Sequence, residues 1–324
     1  MRYLVTGGCG FVGSHLVEHL HAAGHEVSVI DDLSTGRYDN VAHLEGRPRF
    51  ELVVGSVLDP SLLRDAVRGV DAVFHLASVV GVRLVMEQPV NTIRTIFQGT
   101  EAVLREASTF RRPVLLASTS EVYGKSDDVP FREDGDRLEG PTHRHRWAYA
   151  CAKALDEFLA LAHWKETRLP VVVARLFNTV GPRQSGRYGM VVPRFVEQAL
   201  AGEPLLVHGD GTQTRCFTHV ADVVECMAAL LACPAAHGEV VNVGSAEAVS
   251  IGDLARRVVA LAESAAPVRL VPYSAVYGEG FEDMRARLPD IDKARRLVGW
   301  SPRRDLDTTL REIIAWHRNH RRGA

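Results

Sequence analysis

The sequence is poor in cysteine and shows no disulfide or zinc framework. Five cysteines occur in 324 residues, an odd number without any C-x-x-C pair. They are Cys9, Cys151, Cys216, Cys226 and Cys233. Small secreted domains usually carry an even set of cysteines, and zinc ribbons carry closely paired ones. We therefore expect free thiols and a cytoplasmic protein.

Long apolar runs and an excess of one charge are also absent. No run approaches the ~20 residues of a membrane span, and we expect no signal peptide ahead of the strand-like opening RYLVT. Lys and Arg number 38 against 40 Asp and Glu, whereas a broad nucleic-acid surface is strongly basic. The histidines form no H-E-x-x-H motif. We expect a globular protein without membrane, nucleic-acid or metal partners.

Short apolar segments alternate with helical patterns through the first half of the chain. Six segments predict buried parallel strands, because they are too apolar for half-exposed strands and too short for helices. They cover residues 2–6, 26–31, 50–57, 72–78, 113–118 and 171–177. After a first helix near Val12, further helices are predicted at 61–69, 91–108, 149–164, 193–201, 220–233, 251–264 and 305–320. The alternation predicts an α/β fold with a Rossmann-type, doubly wound parallel sheet.

The rhythm loosens after residue 177, where strands are predicted only at 204–208, 239–244 and 268–272. We expect two domains. The first comprises residues 1–177, with 214–244 returning to it. The second, smaller and mostly helical, comprises residues 178–213 and 245–324 and binds the substrate.

A glycine-rich turn follows the first strand. The segment TGGCGFVG places Gly7, Gly10 and Gly13 directly before a helix. Glycines let the backbone turn sharply and approach a pyrophosphate, while the helix N-terminus offers unpaired N–H groups. A strand before the motif and a helix after it are the context that a dinucleotide site requires. The first domain is therefore predicted to bind a dinucleotide, the alternative being a merely tight turn.

Two acids, Asp31 and Asp32, end the second predicted strand. A carboxylate at this point accepts hydrogen bonds from ribose hydroxyls and repels a 2′-phosphate. The pair predicts NAD rather than NADP as the cofactor, although Arg37 close behind softens the preference.

Tyr149 and Lys153 form a Y-x-x-x-K pair at the start of a predicted helix. The spacing of four places both side chains on one face. A phenol has a pKa of ~10, so its use as a base at neutral pH requires a shift of ~3 units, or ~4 kcal/mol. A nearby ammonium and a positively charged nicotinamide ring are able to supply much of it.

Together these motifs resemble the extended short-chain dehydrogenase/reductase superfamily, in its branch of nucleotide-sugar epimerases, dehydratases and decarboxylases. The segments TGGCGFVG, DDLSTG, HLAS, STSEVYG, YACAK, RLFNTVGPRQ, GDGTQTRCFTHVADVV and NVGS follow the family order over essentially the whole chain. One departure is Ser56, where the family usually has an acid that contacts adenine. That contact then falls to the backbone of Val57 or the side chain of Asp59.

The resemblance implies the roles of the site residues. Tyr149 would be the base, Lys153 would bind the nicotinamide ribose and lower the pKa of Tyr149, and Thr119 would share the hydrogen-bond network. The cofactor residues would be Gly7, Gly10, Phe11, Val12, Gly13, Asp31, Asp32, Val57, Asp59, Ala77, Tyr149 and Lys153. The UDP-sugar residues would be Thr119, Ser120, Arg146, Asn178, Arg187, Arg215 and Arg287. The helices 91–108 and 149–164 would pair across a two-fold axis, forming a homodimer.

Two features resemble UDP-glucuronate decarboxylases in particular. Glu121 follows the strand-end Ser118-Thr119-Ser120, and Arg287 lies two residues before Pro289 in an R-x-P segment. The resemblance makes both residues catalytic and favours UDP-glucuronate decarboxylation through a 4-keto intermediate. Alternatives are a 4-epimerase of UDP-glucose or UDP-glucuronate, which uses the same oxidation, and a silent NAD-binding regulator. The alternative for Glu121 by itself is a buried structural acid, and that for Arg287 is an interdomain salt bridge.

Overall fold

A computed structural model describes residues 1–80, 85, 87–186, 189–277 and 284–321. The strands are β1 (Arg2–Thr6), β2 (Glu26–Asp31), β3 (Phe50–Val54), β4 (Ala72–His75), β5 (Val114–Thr119), β6 (Val171–Leu176), β7 (Thr179–Val180), β8 (Leu205–His208), β9 (Thr214–Cys216), β10 (Thr218–His219), β11 (Glu239–Val243), β12 (Ala248–Ser250), β13 (Val268–Val271) and β14 (Ala286–Arg287). The helices are α1 (Phe11–Ala22), α2 (Pro60–Arg68), α3 (Pro89–Phe110), α4 (Ala148–Thr167), α5 (Val191–Ala201), α6 (Val220–Ala232), α7 (Ile251–Leu261), α8 (Tyr273–Tyr277), α9 (Asp292–Val298) and α10 (Leu306–Arg321).

Seven strands form one sheet in the order β11-β6-β5-β4-β1-β2-β3. Every neighbouring pair in it is parallel. Strand β6 is buried along five of its six residues, as expected for a strand covered on both faces. The predicted Rossmann-type sheet is confirmed. Strand β11 lies beside β6 and forms one edge of the sheet.

Helices cover both faces of this sheet. On one face, α1 packs its buried Leu16, Val17 and Leu20 beside α6. On the other face, α2, α3 and α4 cover the strands, and α3 contributes Val103 and Leu104. These side chains recur at helical spacing in the sequence. Each helix therefore has one apolar face, which packs against the sheet. No helix in the ranges described combines the length and apolar character needed to cross a membrane.

The C-terminal part of the chain has its own hydrophobic cluster, formed mainly by α5, α7, α10 and strand β8. Three small sheets accompany it: β7 with β10, β8 with β13, and β9 between β12 and β14. Most of these strands have only two or three residues, too few for a periodic pattern, and the sequence did not predict β7, β9, β10, β12 or β14. The division into two domains stays a prediction.

Two predicted strands end early, and side chains accept hydrogen bonds from backbone N–H groups beyond their ends. Strand β3 stops at Val54 rather than at residue 57, and Ser56 Oγ then accepts a hydrogen bond from Leu58 N at 3.2 Å. Strand β4 stops at His75 rather than at residue 78. Beyond it, Thr6 Oγ1 accepts the N–H groups of the next two residues. Side-chain acceptors of this kind compete with strand hydrogen bonds.

A buried ion pair fixes α4 against the sheet. Glu157 on α4 and Arg175 on β6 lie 2.7 Å apart, and each side chain is only 6% exposed. We predict that Glu157→Ala lowers the free energy of unfolding by about 3 kcal/mol, because it strands a buried guanidinium. Urea denaturation measures the change. The control Asp134→Ala breaks an exposed pair with Arg132 and should leave the midpoint unchanged. A Glu157→Ala midpoint equal to that of the parent would contradict the prediction.

Candidate active site

A cavity of about 390 Å³ lies at the carboxyl edge of the seven-stranded sheet. It brings together most of the residues that the sequence predicts for the site. Those in its wall are Phe11, Val12, Thr119, Ser120, Glu121, Arg146, Tyr149, Lys153, Asn178, Arg215 and Arg287. Its volume is in the range of small-molecule sites. Arg187 lies outside the described residues.

The glycine turn at one end of this cavity is built so that backbone meets backbone. Gly7 has a φ of +72°, and a Cβ there would lie 2.8 Å from the Ala77 nitrogen. A Cβ on Gly13 would lie 2.1 Å from the Gly7 carbonyl oxygen. Gly10 caps α1 without a side chain, so no side-chain oxygen of the cap competes for the first-turn N–H groups. The turn therefore fits a pyrophosphate.

Asp31 and Asp32 lie beside this turn at the end of β2. The carboxylate of Asp31 accepts hydrogen bonds from Cys9 N at 2.9 Å and Leu33 N at 2.8 Å. Burial raises the pKa of Asp31, and these two N–H groups partly offset the rise. Arg37 is paired with Asp39 at 3.0 Å rather than turned toward the acids. Asp31 is thereby fixed to the glycine turn through Cys9, at the end of β2.

The two candidates for the adenine contact differ in what their atoms already do. The carboxylate of Asp59 caps α2 by accepting hydrogen bonds from Ser61 N at 2.9 Å and Leu62 N at 3.1 Å. Hydrogen bonds from Ser61 and Leu62 also lower the pKa of Asp59. Asp59 thus has a structural task at the start of α2, and the adenine contact stays a prediction for both residues.

Tyr149 and Lys153 both reach the cavity from the first turns of α4. Burial raises the pKa of Tyr149 well above its usual value, and the Glu121 carboxylate raises it further. A hydrogen bond with Thr119 and the charge of Arg287 act in the opposite direction. Lys153 forms a buried ion pair with Asp156 at 3.0 Å. In this state the phenol of Tyr149 is protonated at neutral pH.

Glu121 lies between two guanidinium groups. Its carboxylate is 2.5 Å from Arg146 and 3.3 Å from Arg287, and all three side chains are less than 15% exposed. Burial alone would raise the pKa of Glu121, but Arg146 and Arg287 outweigh it and lower the pKa to about 2. Glu121 is therefore an anion at neutral pH and holds both arginines beside the cavity.

The small sheet of β9, β12 and β14 carries Arg287 and brings one further cation, Arg215, to the same wall. In the parallel pair of β9 and β14, Arg215 is the register partner of Arg287. Arg215 also donates a hydrogen bond to its neighbour's carbonyl, Thr214 O, at 2.8 Å. Asn178 stands at the end of β6, and its amide donates to Cys216 O at 2.9 Å. The site thus joins the main sheet to the C-terminal part of the chain.

The cavity also has residues that the sequence did not predict for the site. They are mainly Gln184, Arg194, His208, Gln213 and Tyr273. Arg194 donates to His208 Nε2 at 3.0 Å, and Gln213 donates to the backbone oxygen of His208 at 2.7 Å. Burial and the nearby Arg194 lower the pKa of His208 to about 4. Gln184 and Gln213 lie in the segments GPRQ and GDGTQTR, which resemble the family. This resemblance is the signal in the sequence that points to them.

Fold and site together define an enzyme of the extended short-chain dehydrogenase/reductase type. The chain belongs to the GDP-mannose 4,6 dehydratase family, which matches residues 4–313. It is 41% identical to a UDP-N-acetyl-alpha-D-glucosaminuronate decarboxylase of Bacillus cytotoxicus, over 98% of both chains. It is 38% identical to UDP-glucuronic acid decarboxylase 1 of Danio rerio, over 97% of this chain and 72% of that one. The predicted superfamily is confirmed.

Solved structures share the same architecture. The dTDP-glucose 4,6-dehydratase DesIV of Streptomyces venezuelae, with NAD and TYD bound, superposes with a TM-score of 0.90 at 30% identity, over 100% of this chain and 98% of that one. A variant of the UDP-glucuronic acid 4-epimerase of Bacillus cereus, with NAD and UDP-4-deoxy-4-fluoro-glucuronic acid, gives 0.89 at 28% identity, over 99% and 100%. The family therefore contains decarboxylases, dehydratases and epimerases that share one fold.

Proposed function

We propose that the protein is an NAD-dependent UDP-glucuronate decarboxylase. The observation that carries the proposal is the buried Glu121 between Arg146 and Arg287, at a cavity that also has Tyr149 and Lys153. Arginine forks bind carboxylates and phosphates in pairs of hydrogen bonds. A UDP-uronate presents both groups. The two decarboxylase relatives support this choice over an epimerase.

The glycine turn, Asp31, Asp32, Tyr149 and Lys153 would hold NAD. When bound, NAD accepts the hydride of the sugar, returns it later in the turnover and brings a positive ring near the phenol. Tyr149 would take the proton of the sugar 4-hydroxyl, with Thr119 as its hydrogen-bond partner. Because burial holds the free phenol protonated, Tyr149 would become a base only after the cofactor is in place.

Oxidation at C4 creates a ketone β to the carboxylate at C5, and such acids lose CO₂ because the ketone accepts the electrons. Arg287 would bind the departing carboxylate and stabilise the enolate that forms. With a pKa of about 2, Glu121 is a weak base, so its role would be to orient the arginines and nearby water. Asn178 and Arg215 would hold the diphosphate, with Ser120 at the sugar.

The product of UDP-glucuronate separates the candidates. We expect mass spectrometry to show loss of CO₂ from UDP-glucuronate incubated with the purified protein. An isomer of unchanged mass would indicate the epimerase, and an unchanged substrate would indicate a silent NAD-binding protein. The 41% relative adds a second candidate, decarboxylation of the 2-acetamido uronate. A competition between both UDP-uronates identifies the preferred C2 substituent.

We predict that Tyr149→Phe abolishes the reduction of bound NAD by UDP-glucuronate, because the phenol oxygen is the group that takes the proton. Binding of NAD and of the UDP-sugar should stay near that of the parent, since this oxygen matters only along the reaction. Stopped-flow absorbance of NADH measures the first effect and calorimetry the second. If turnover stays within about tenfold of the parent, Tyr149 is not the base.

We predict that Arg287→Ala blocks CO₂ release more than it blocks the preceding oxidation. The loss of CO₂ release should be about 10²-fold or more, the size of a general-acid or electrostatic contribution. Bound NAD should still become reduced. The matched control is Arg285→Ala, which removes an exposed arginine two residues away. Equal losses in oxidation and CO₂ release would instead make Arg287 a salt-bridge residue of the fold.

We also propose that the protein is a cytoplasmic homodimer. All five cysteines are free thiols, as suits a reducing compartment. On α3 and α4, the apolar side chains of Val90, Ile93, Leu155 and Phe158 are 45–63% exposed. Ile96, Val103 and Leu104 of α3 are buried within the chain itself and do not belong to this surface. The exposed face is the one that would pair across a two-fold axis.

We predict that Phe158→Asp converts the dimer to a monomer, because it places a charge at the centre of the apolar contact. Light scattering at micromolar concentration measures the mass. Leu270→Asp, at another exposed apolar position on β13 (61% exposed), should leave the dimer intact. A parent protein that is already a monomer would refute the proposal.

A further inference from the structure

Lys153 and Asp156 form an ion pair that is buried inside the protein. The side chain of Lys153 is 3% exposed, and that of Asp156, one turn later on α4, is fully buried. The ammonium Nζ donates to Asp156 Oδ2 at 3.0 Å. A buried charge is costly unless it is paired, so Asp156 is the neighbour that compensates the buried ammonium.

A chain of hydrogen bonds from three other elements ends on the same carboxylate oxygen. Thr100 on α3 donates to Asp156 Oδ2 at 2.8 Å. Its hydroxyl then accepts from His75 Nε2 at 3.2 Å, which leaves His75 Nδ1 to accept from Thr6 Oγ1 at 2.8 Å. Burial, together with Lys153, lowers the pKa of His75 to about 3, so the ring is neutral and carries one proton.

The direction of this chain favours the anionic form of Asp156. Thr6 Oγ1 already accepts two backbone N–H groups, so its proton goes to His75, the neutral ring donates to Thr100, and Thr100 donates to Asp156. Lys153 donates to the same oxygen, and hydrogen bonds donated to a carboxylate favour its charged form. Burial raises the pKa of Asp156, and Lys153 and Thr100 oppose that rise. The second oxygen, Oδ1, is buried without a hydrogen-bond partner, so the carboxylate has these two donors alone.

We propose that Asp156 is a positioning residue, which holds the ammonium of Lys153 at the cavity wall next to Tyr149. The inference rests on the proposed function only in that a sugar hydroxyl is oxidised, a step that decarboxylase and epimerase share. Asp156 itself does not line the cavity. Its effect on the reaction therefore passes through Lys153, which does line it.

The charged groups around Lys153 and Asp156 determine in which direction the loss of the Asp156 charge should change the pH profile. Glu157 on the same helix acts on Asp156, and Glu121 and Arg287 act on Tyr149 from the opposite wall. Asp156 itself raises the pKa of Tyr149. If it acted only in this direct way, removing its charge would make Tyr149 a better base and raise activity at low pH. If it acts through Lys153, its removal lets the ammonium move away from Tyr149, and the pKa of Tyr149 then rises instead of falling.

The experiment compares Asp156→Asn with the parent in pH profiles of NAD reduction by UDP-glucuronate, from about pH 6 to about pH 10. We expect the rising limb of the Asp156→Asn profile to lie at least about one pH unit above that of the parent, which is about a tenfold lower rate at a given pH on that limb. A profile in the position of the parent profile, or one with higher activity at low pH, overturns the proposal.

Two further variants separate positioning from folding. Glu157→Gln disturbs a buried carboxylate one residue away and should lower stability while leaving the position of the profile unchanged. Thr100→Val removes one donor to Asp156 but keeps its charge, so it should move the profile in the same direction by less, even if Asp156→Asn folds poorly. A Thr100→Val profile identical to the parent would count against the proposal. If the parent makes an isomer instead of CO₂, the proposed function fails while this comparison still holds.

Discussion

Parallel pairing of all the strands in the main sheet is the constraint on which the site depends. A parallel neighbour requires a crossover, so the chain leaves every strand at the same edge and re-enters at the other. Phe11 after β1, Thr119 at the end of β5 and Asn178 after β6 therefore meet around one cavity. Asp31 at the end of β2 is hydrogen-bonded to the glycine turn that precedes Phe11. The local sequence determines which side chains follow each strand. The parallel topology is what makes the ends of these strands neighbours.

Two anions at this edge of the sheet, Asp156 and Glu121, pair with different cations of the site. Asp156 is engaged with Lys153 behind the wall, and Glu121 is engaged with Arg146 and Arg287 in front of it. Both anions raise the pKa of Tyr149, and burial raises it more. Without ligands, the phenol of Tyr149 is therefore protonated. A positive charge that arrives with the cofactor lowers the pKa of Tyr149. The phenol therefore stays inactive as a base until the site is filled.

The parts of the site that the sequence predicted are those in which neighbouring residues act together. The glycine turn, the acids after β2 and the Tyr149–Lys153 pair each lie within one short segment, so spacing alone indicates their geometry. The register of Arg215 with Arg287 joins two very short strands from distant segments, and no local pattern marks it. Helical spacing places Asp156 near Lys153, but only the packing of α3 and β4 shows that the carboxylate is buried. The same limit applies to α3, where spacing predicted an apolar stripe but could not separate side chains facing the core from those facing outward.

Glu121 shows why an anion is useful in a site meant for anions. It connects the end of β5 to Arg146, whose guanidinium also lies 5.4 Å from the Trp147 ring, and to Arg287 on the small sheet. Without a carboxylate between them, two buried guanidiniums would repel each other and lose their orientation. A neutral hexose offers these cations only hydroxyl groups, whereas a uronate offers a second carboxylate that fits the same forks. Holding the arginines in place before binding lowers the ordering cost at the moment the uronate arrives. The site can therefore select by charge while its geometry stays the same.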